Sequence, residues 1–320
     1  MPNIIVVSNS RAESSPLDCV IRELPEARVV TFVAEGEPHE EMADALRFFH
    51  GQLAGADIVV LLGDRYETLA AGLAATFLRV PIAHLHGGET TTGAFDDGLR
   101  HSLTHLTEQS GGLHLAATPH AAERITQMTN GSQRVHVVGA PGLDGVQEGS
   151  ARRDRDIVVV GFHPETQAAD YGVALCRDML ACLNMRLPSF WRIVFTGVNK
   201  DPGHEQIEAL INEFCEQHPS TRIVAPLPRD AYILLLQEAR LIIGNSSSIP
   251  IEASWIGTPG VLVGARQDGR EFGRNIFQAD GDMTRAIDYA CMFEGPTNAP
   301  YRGGEVGKKI AEIVRGFVNA

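Results

Sequence analysis

The sequence predicts an α/β protein made of two doubly wound parallel-sheet domains, and three observations predict it. Apolar, β-branched runs alternate with helical patterns from one end of the chain to the other. The runs are continuously apolar rather than alternating, which marks strands covered on both faces, as those of parallel sheets are. Finally, 320 residues exceed what one hydrophobic core ordinarily organises.

In order, the strand-like runs of the first half are "NIIVVSN", "ARVVTFV", "ADIVVLLGD", "VPIAHLHG", "LHLAAT" and "RVHVVGA". The second half brings "RDIVVVGF", "WRIVFTG", "TRIVAPL", "RLIIGN" and "GVLVGA". Between them lie helix-like stretches such as "YETLAAGLAATFLR", "HAAERITQM", "GVALCRDMLACL" and "IPIEASWIG". The polar, charged stretch "QEGSARRDRD" separates two complete strand–helix series. The expected division is therefore an N-terminal domain over 1–150 and a C-terminal domain over 151–320, with a cleft between them. The tail "GGEVGKKIAEIVRGFV" has helical periodicity after a Gly-Gly break.

Composition narrows the function classes. The formal charge of −13 repels phosphate backbones and argues against nucleic acid as a partner. One small phosphorylated ligand, held by a few local donors, remains compatible with it. Met1 leads straight into an apolar run with no basic segment and no cleavage site. No run approaches the roughly 20 residues that span a bilayer, so a cytoplasmic protein with no membrane partner is expected. The five cysteines form no CxxC pair and no zinc-ligand spacing, which reads as buried thiols in a reducing compartment.

In open α/β sheets ligands bind beyond the carboxyl ends of the strands, and that is where the chemistry-bearing residues fall. "LLGD" ends in Asp64 and Arg65, "IAHLH" in His84 and His86, "VVVGF" in His163, and "LIIG" in Asn245 to Ser248. "GNSSSIPIE" runs from a strand into a Ser-rich helix start. Its free N–H groups and the hydroxyls of Ser246 and Ser247 suit a diphosphate, with Glu252 placed to hold ribose hydroxyls. A simple N-cap is the plainer alternative. "GARQDGREFGRN" supplies Arg266, whose forked guanidinium suits phosphate oxygens. "SNSRAESS", with Arg11 and Ser15 at the first strand end, has a similar make-up. GxGxxG, Walker and GxSxG signatures are absent.

The segment "HLHGGETTTGAFDDGLRH" gathers three histidines, three acids and four glycines into eighteen positions. His84 and His86 alternate along a strand and so share a side. One of them reads equally as a core histidine, and an HxH zinc site lacks a third ligand at suitable spacing. The glycines at 87, 88 and 93 suggest a mobile loop that carries Glu89, Asp96 and Asp97 towards a ligand. Asp64–Arg65 alone reads as a structural ion pair. His163 reads either as a turn residue or as a donor to a departing phosphate.

In this order "GDRYE", "HLHGGETTTGAFDDGLRH", "VVGAPGLD", "FHPET", "NKDPG", "GNSSSIPIE" and "GARQDGRE" resemble the hydrolysing UDP-N-acetylglucosamine 2-epimerases of sialic and related nonulosonic acid biosynthesis. The likeness covers most of 56–274 and the short "SRAESS" segment. It implies the GT-B architecture, two Rossmann-like domains about a cleft, with no cofactor and no metal. It implies removal of the proton at sugar C2, loss of UDP from C1, a glycal-like intermediate, and addition of water. Asp64, Glu89 and Asp96 then match the acids of proton transfer. His163 matches the histidine near the diphosphate, with Ser246 and Ser247 as phosphate-binding serines. Glu252 matches the ribose-binding glutamate, while Arg65, Arg266 and Arg11 match arginines of the family. His86 stands where related enzymes often carry a glutamate. A UDP-sugar is the implied partner, and a homo-oligomer, dimer or tetramer, the implied assembly.

Two departures stand out. The first domain is shorter than the family's between the first helix and "GDR", and "EQSGG" is an apparent insertion. Both bear on the sugar more than on the nucleotide. The expected function is therefore hydrolysing epimerisation of a UDP-N-acetylhexosamine at C2. The rivals are another GT-B nucleotide-sugar hydrolase or glycosyltransferase, and a UDP-binding homologue with altered catalysis.

Overall fold

The computed structural model describes residues 2–9, 11–33, 38–153 and 155–320, and the side chains of 11–15 and 38 fall outside the described residues. Six strands form the first sheet: β1 (Ile4–Val7), β2 (Arg28–Val30), β3 (Ile58–Leu62), β4 (Ile82–Leu85), β5 (Leu113–Ala116) and β6 (Val135–Val137). Six more form the second: β7 (Ile157–Gly161), β8 (Arg192–Phe195), β9 (Thr221–Ile223), β10 (Leu241–Gly244), β11 (Gly260–Leu262) and β12 (Ile276–Gln278). Every pairing in both sheets is parallel. The α/β class with two doubly wound domains is thus the observed one. Each apolar run holds a strand; β12 was not expected, because three residues at a sheet edge leave no apolar run to read.

Period-two alternation along these strands explains why they are apolar throughout. In the first sheet Ile4, Val6, Ile58 and Val60 enter one core. Their neighbours Ile5, Val7, Val59 and Leu61 enter the core on the opposite face. The second sheet repeats this, with Val158, Val160 and Ile243 on one face and Val159, Val194 and Ile242 on the other.

The chain divides into two compact units. The first comprises Met1–Glu89, Asp96–Gly145 and Arg302–Ala320, and the second Thr90–Phe95 and Val146–Tyr301. This differs from the expected cut at 150, because the C-terminal helix Val306–Val318 returns to the first unit. The physical reason is its apolar stripe: Val306, Ile310, Ala311 and Val314 join Leu17 and Val20 in the core beneath β1 and β3.

Strand order sets where a ligand can sit. The first sheet runs β2-β1-β3-β4-β5-β6, so the chain reverses its direction of winding between β1 and β3. The second runs β12-β11-β10-β7-β8-β9, with the reversal between β7 and β10. Crevices open beyond the carboxyl ends of strands at such reversals. Asp64 follows β3, and His163 and Asn245 follow β7 and β10. Among the described residues no helix is long and apolar enough to cross a membrane.

Candidate active site

In the first unit, Gly63 takes a φ of +80° and turns the chain out of β3 into Asp64. The Asp64 carboxylate accepts a hydrogen bond from the guanidinium of Arg100. Arg100 is 3% exposed; its Nη1 also donates to the Glu89 carbonyl at 3.2 Å and to Asp97 Oδ1 at 3.3 Å. One buried cation therefore gathers three segments that each bring an acid. Sequence reasoning passed over Arg100, although its spacing from Asp97 is the i,i+3 of a helix face. Glu89 is buried, and its Oε1 lies 2.5 Å from His86 Nδ1.

Several expectations change here. Asp96 and Asp97 do not ride a loop: they open the helix Asp96–Gln109, where acids suit the positive end of the helix dipole. Two of the glycines, Gly88 and Gly93, have a steric reason instead. A Cβ on Gly88 would lie 2.3 Å from the Ala121 carbonyl oxygen, and one on Gly93 would lie 1.9 Å from that of Ala265. Both positions are close backbone approaches, which only glycine permits. His84 and His86 also part company. His86 lies past β4 with a φ of +61°, so strand alternation no longer governs it. His84 is fully buried, with Nε2 2.8 Å from the Gly63 carbonyl oxygen, and burial pushes its pKa down to about 4. It is a neutral core residue. Arg65 pairs with the buried carboxylate of Glu67, at 3.2 Å from Nη2. The apparent insertion "EQSGG" contributes Glu108, which bridges buried His114 at 3.1 Å and Arg134 at 2.8 Å.

In the second unit the reversal point is bound together by Asn245, a residue that sequence reasoning placed at a strand end without a role. Its Oδ1 accepts from the His163 backbone N–H at 2.7 Å, and its Nδ2 donates to the His163 carbonyl at 2.8 Å. Gly244 makes this possible. It takes a φ of +137°, and a Cβ there would sit 2.1 Å from the Gly161 carbonyl oxygen. The His163 imidazole is buried, and its Nδ1 accepts the Asn199 backbone N–H at 3.1 Å. That bond places the proton of the neutral ring on Nε2. Burial, with the Arg266 charge nearby, pushes the His163 pKa down to about 3. The residue therefore offers a neutral N–H donor.

Ser246 Oγ lies 3.0 Å from Ser248 Oγ, while Ser247 is exposed. Glu252 is half-buried in the helical segment that follows. Arg266 Nη2 stands 3.8 Å from Asp201 Oδ2, and buried Glu165 holds the Arg266 loop by accepting from the Ala265 N–H at 2.9 Å. Thr90–Phe95 packs on this loop, with the Thr92 N–H donating to the Asp268 carbonyl at 3.0 Å. Arg11 and Ser15, expected at the nucleotide, have side chains outside the described residues. Among the described residues no cluster of three or more His, Cys, Asp or Glu is arranged to hold a metal ion.

Chemically, the first unit offers carboxylates beside a guanidinium and an imidazole, the equipment of proton transfer. The second offers a neutral N–H, hydroxyls and a guanidinium at a strand-order reversal, the equipment of anion binding. Residues 36–315 match the family model described as UDP-N-acetylglucosamine 2-epimerase. The chain belongs to this family.

Among curated 2-epimerase relatives, the UDP-N,N'-diacetylbacillosamine 2-epimerase (hydrolyzing) of Legionella pneumophila is 33% identical over 236 residues, 70% of this chain and 60% of the relative. The UDP-N-acetylglucosamine 2-epimerase of Neisseria meningitidis is 28% identical, over 81% of this chain and 71% of that protein. The chain spans about 60% of the length of the Legionella relative and of a Campylobacter jejuni GDP/UDP-N,N'-diacetylbacillosamine 2-epimerase (hydrolyzing). In fold, it matches the Methanocaldococcus jannaschii UDP-GlcNAc 2-epimerase solved with UDP-GlcNAc and UDP. The TM-score is 0.78 at 16% identity, covering 99% of this chain and 100% of that one. The 2-epimerase fold of the GT-B type is therefore established for this chain.

Proposed function

We propose that the chain catalyses hydrolysing epimerisation of a UDP-N-acetylhexosamine at C2, releasing UDP and the free 2-epimeric sugar. The observation that carries this reading is the cluster of Asp64, Glu89 and Asp97 around buried Arg100, because a protein that only binds nucleotide has no use for it. The activity for which the Legionella relative is named supports the hydrolysing type.

In this reading the acids of the first unit, Asp64, Glu89 and Asp96, serve proton transfer at C2, with His86 coupled to Glu89. As the C2–H bond breaks, its electrons form the C1–C2 double bond, and the C1–O bond breaks to release UDP with its electron pair. The leaving diphosphate is stabilised by His163 Nε2–H, Ser246, Ser247 and Arg266, and Glu252 takes the ribose hydroxyls. Preorganised donors aimed at developing charge usually do most to lower the barrier of such steps. Water then adds across the double bond, hydroxyl to C1 and a proton to the opposite face of C2. Arg65, Arg11 and Ser15 complete the nucleotide set. The protein works in the cytoplasm as a homo-oligomer, a dimer or tetramer, which light scattering tests.

The reaction is tested by following UDP-GlcNAc in deuterium oxide by NMR. Release of UDP with a 2-epimeric sugar deuterated at C2 is expected. Release of UDP without deuterium at C2 would point instead to a nucleotide-sugar hydrolase. Tight binding of UDP with no turnover of any UDP-N-acetylhexosamine would leave a UDP-binding homologue.

A further inference from the structure

Behind Ser246 stand two hydroxyls, those of Ser248 and Tyr232, that the reaction as described does not use. Tyr232 Oη lies 2.6 Å from Ser248 Oγ, and Ser248 Oγ lies 3.0 Å from Ser246 Oγ. The Ser248 N–H also donates to Ser246 Oγ, at 3.4 Å. Ser248 is buried and Tyr232 partly so. The Tyr232 helix, Arg229–Glu238, and the serine turn belong to the same unit.

We propose that Tyr232 and Ser248 form a hydroxyl relay that turns Ser246 into a strengthened, outward-directed donor for the β-phosphate of a nucleoside diphosphate. The proposal rests on the reading of the serine turn as the diphosphate site. In either pair either oxygen can donate, so the ligand's charge selects the direction. An anion at Ser246 draws the Ser246 O–H outward, which leaves Ser246 Oγ to accept from Ser248 and Ser248 Oγ to accept from Tyr232. Each O–H dipole then polarises the next, and low local dielectric enlarges the effect. Burial raises the Tyr232 phenol above its ordinary range, with the Glu252 charge adding to the rise. The phenol therefore remains protonated, and able to donate, throughout the neutral range. Tyr232 and Ser248 are positioning residues: they act on the ligand only through Ser246.

Calorimetric titration of the full chain with UDP and with uridine tests this in four proteins: wild type, Tyr232→Phe, Ser246→Ala and the double variant. Tyr232→Phe is expected to weaken UDP roughly fivefold, as for a hydrogen bond to a charged group that is weakened but not removed. Uridine affinity is expected to stay unchanged. In the Ser246→Ala background, Tyr232→Phe is expected to cost nothing further. Equal losses for UDP and uridine, or the same loss in both backgrounds, would overturn the relay and leave Tyr232 as packing. Wild-type protein that binds UDP while Tyr232→Phe binds it equally well would also overturn it. Wild-type protein that fails to bind UDP would instead remove the diphosphate reading itself, and the relay with it.

Discussion

A buried guanidinium bonded to Asp64, to Asp97 and to the Glu89 carbonyl cannot be removed cheaply, because its loss strands a carboxylate and frees a carbonyl together. Arg100→Ala is therefore expected to cost about 3 kcal/mol of stability, read as a lower urea midpoint, and to abolish turnover. Arg100→Lys keeps the charge but loses the fork, and is expected to recover stability better than activity. His84 and His163 set a second prediction at this scale. Their folded pKa values lie near 4 and 3, below the ordinary 6.5 of the unfolded chain. Between those values the unfolded state binds more protons, so their contribution is fully present above pH 6.5 and is lost as the pH falls. Stability is expected to decline between pH 6.5 and pH 4 by up to about 1.4 kcal/mol per pH unit for each histidine. Urea midpoints measured across that range test it, and His84→Gln is expected to flatten the slope. A slope unchanged in that variant would contradict the assignment of His84 as a neutral core residue.

At the scale of elements, the segment from Gly87 to Asp97 shows what the sequence conveys and what it hides. Its acids and histidines announce proton transfer without any structure. Its glycines misdirect, because a glycine required for close approach looks the same in sequence as one required for freedom. A substitution separates the two meanings. In a mobile loop Gly93→Ala would stabilise by a few tenths to about 1 kcal/mol through the unfolded chain. Here the added methyl meets the Ala265 carbonyl, so a loss of about 1–3 kcal/mol is expected instead. The sign of the change in thermal midpoint decides the matter. Strands were legible because continuous apolar runs have few other meanings in an α/β chain. The C-terminal helix was equally legible as a helix, yet not its destination. Which core receives Ile310 and Val314 depends on contacts with Leu17 and Val20 some three hundred residues earlier, and no local pattern encodes that. Ile310→Ala is accordingly expected to cost about 3 kcal/mol and to destabilise the first unit, seen as faster amide exchange in β1 and β3.

For the whole molecule, the two sheets place the two kinds of chemistry in different units. Asp64, Glu89, Asp97 and Arg100 all lie in the first, and His163, Asn245, Ser246, Glu252 and Arg266 all lie in the second. Arg65 apart, the expected nucleotide contacts whose side chains are described belong to a unit with its own cores. A ligand that binds the folded form stabilises whatever cooperative unit holds its site, by about 2.7 kcal/mol at a hundredfold excess over Kd. UDP is therefore expected to slow amide exchange in 146–301 roughly a hundredfold where exchange proceeds through opening of that unit. The slowing should be greatest at β7, β10 and the turns that follow them. Exchange in β1 to β6 is expected to change less. Protection confined to β1 to β6 would move the nucleotide to the first unit and undo the division of labour proposed for the two sheets.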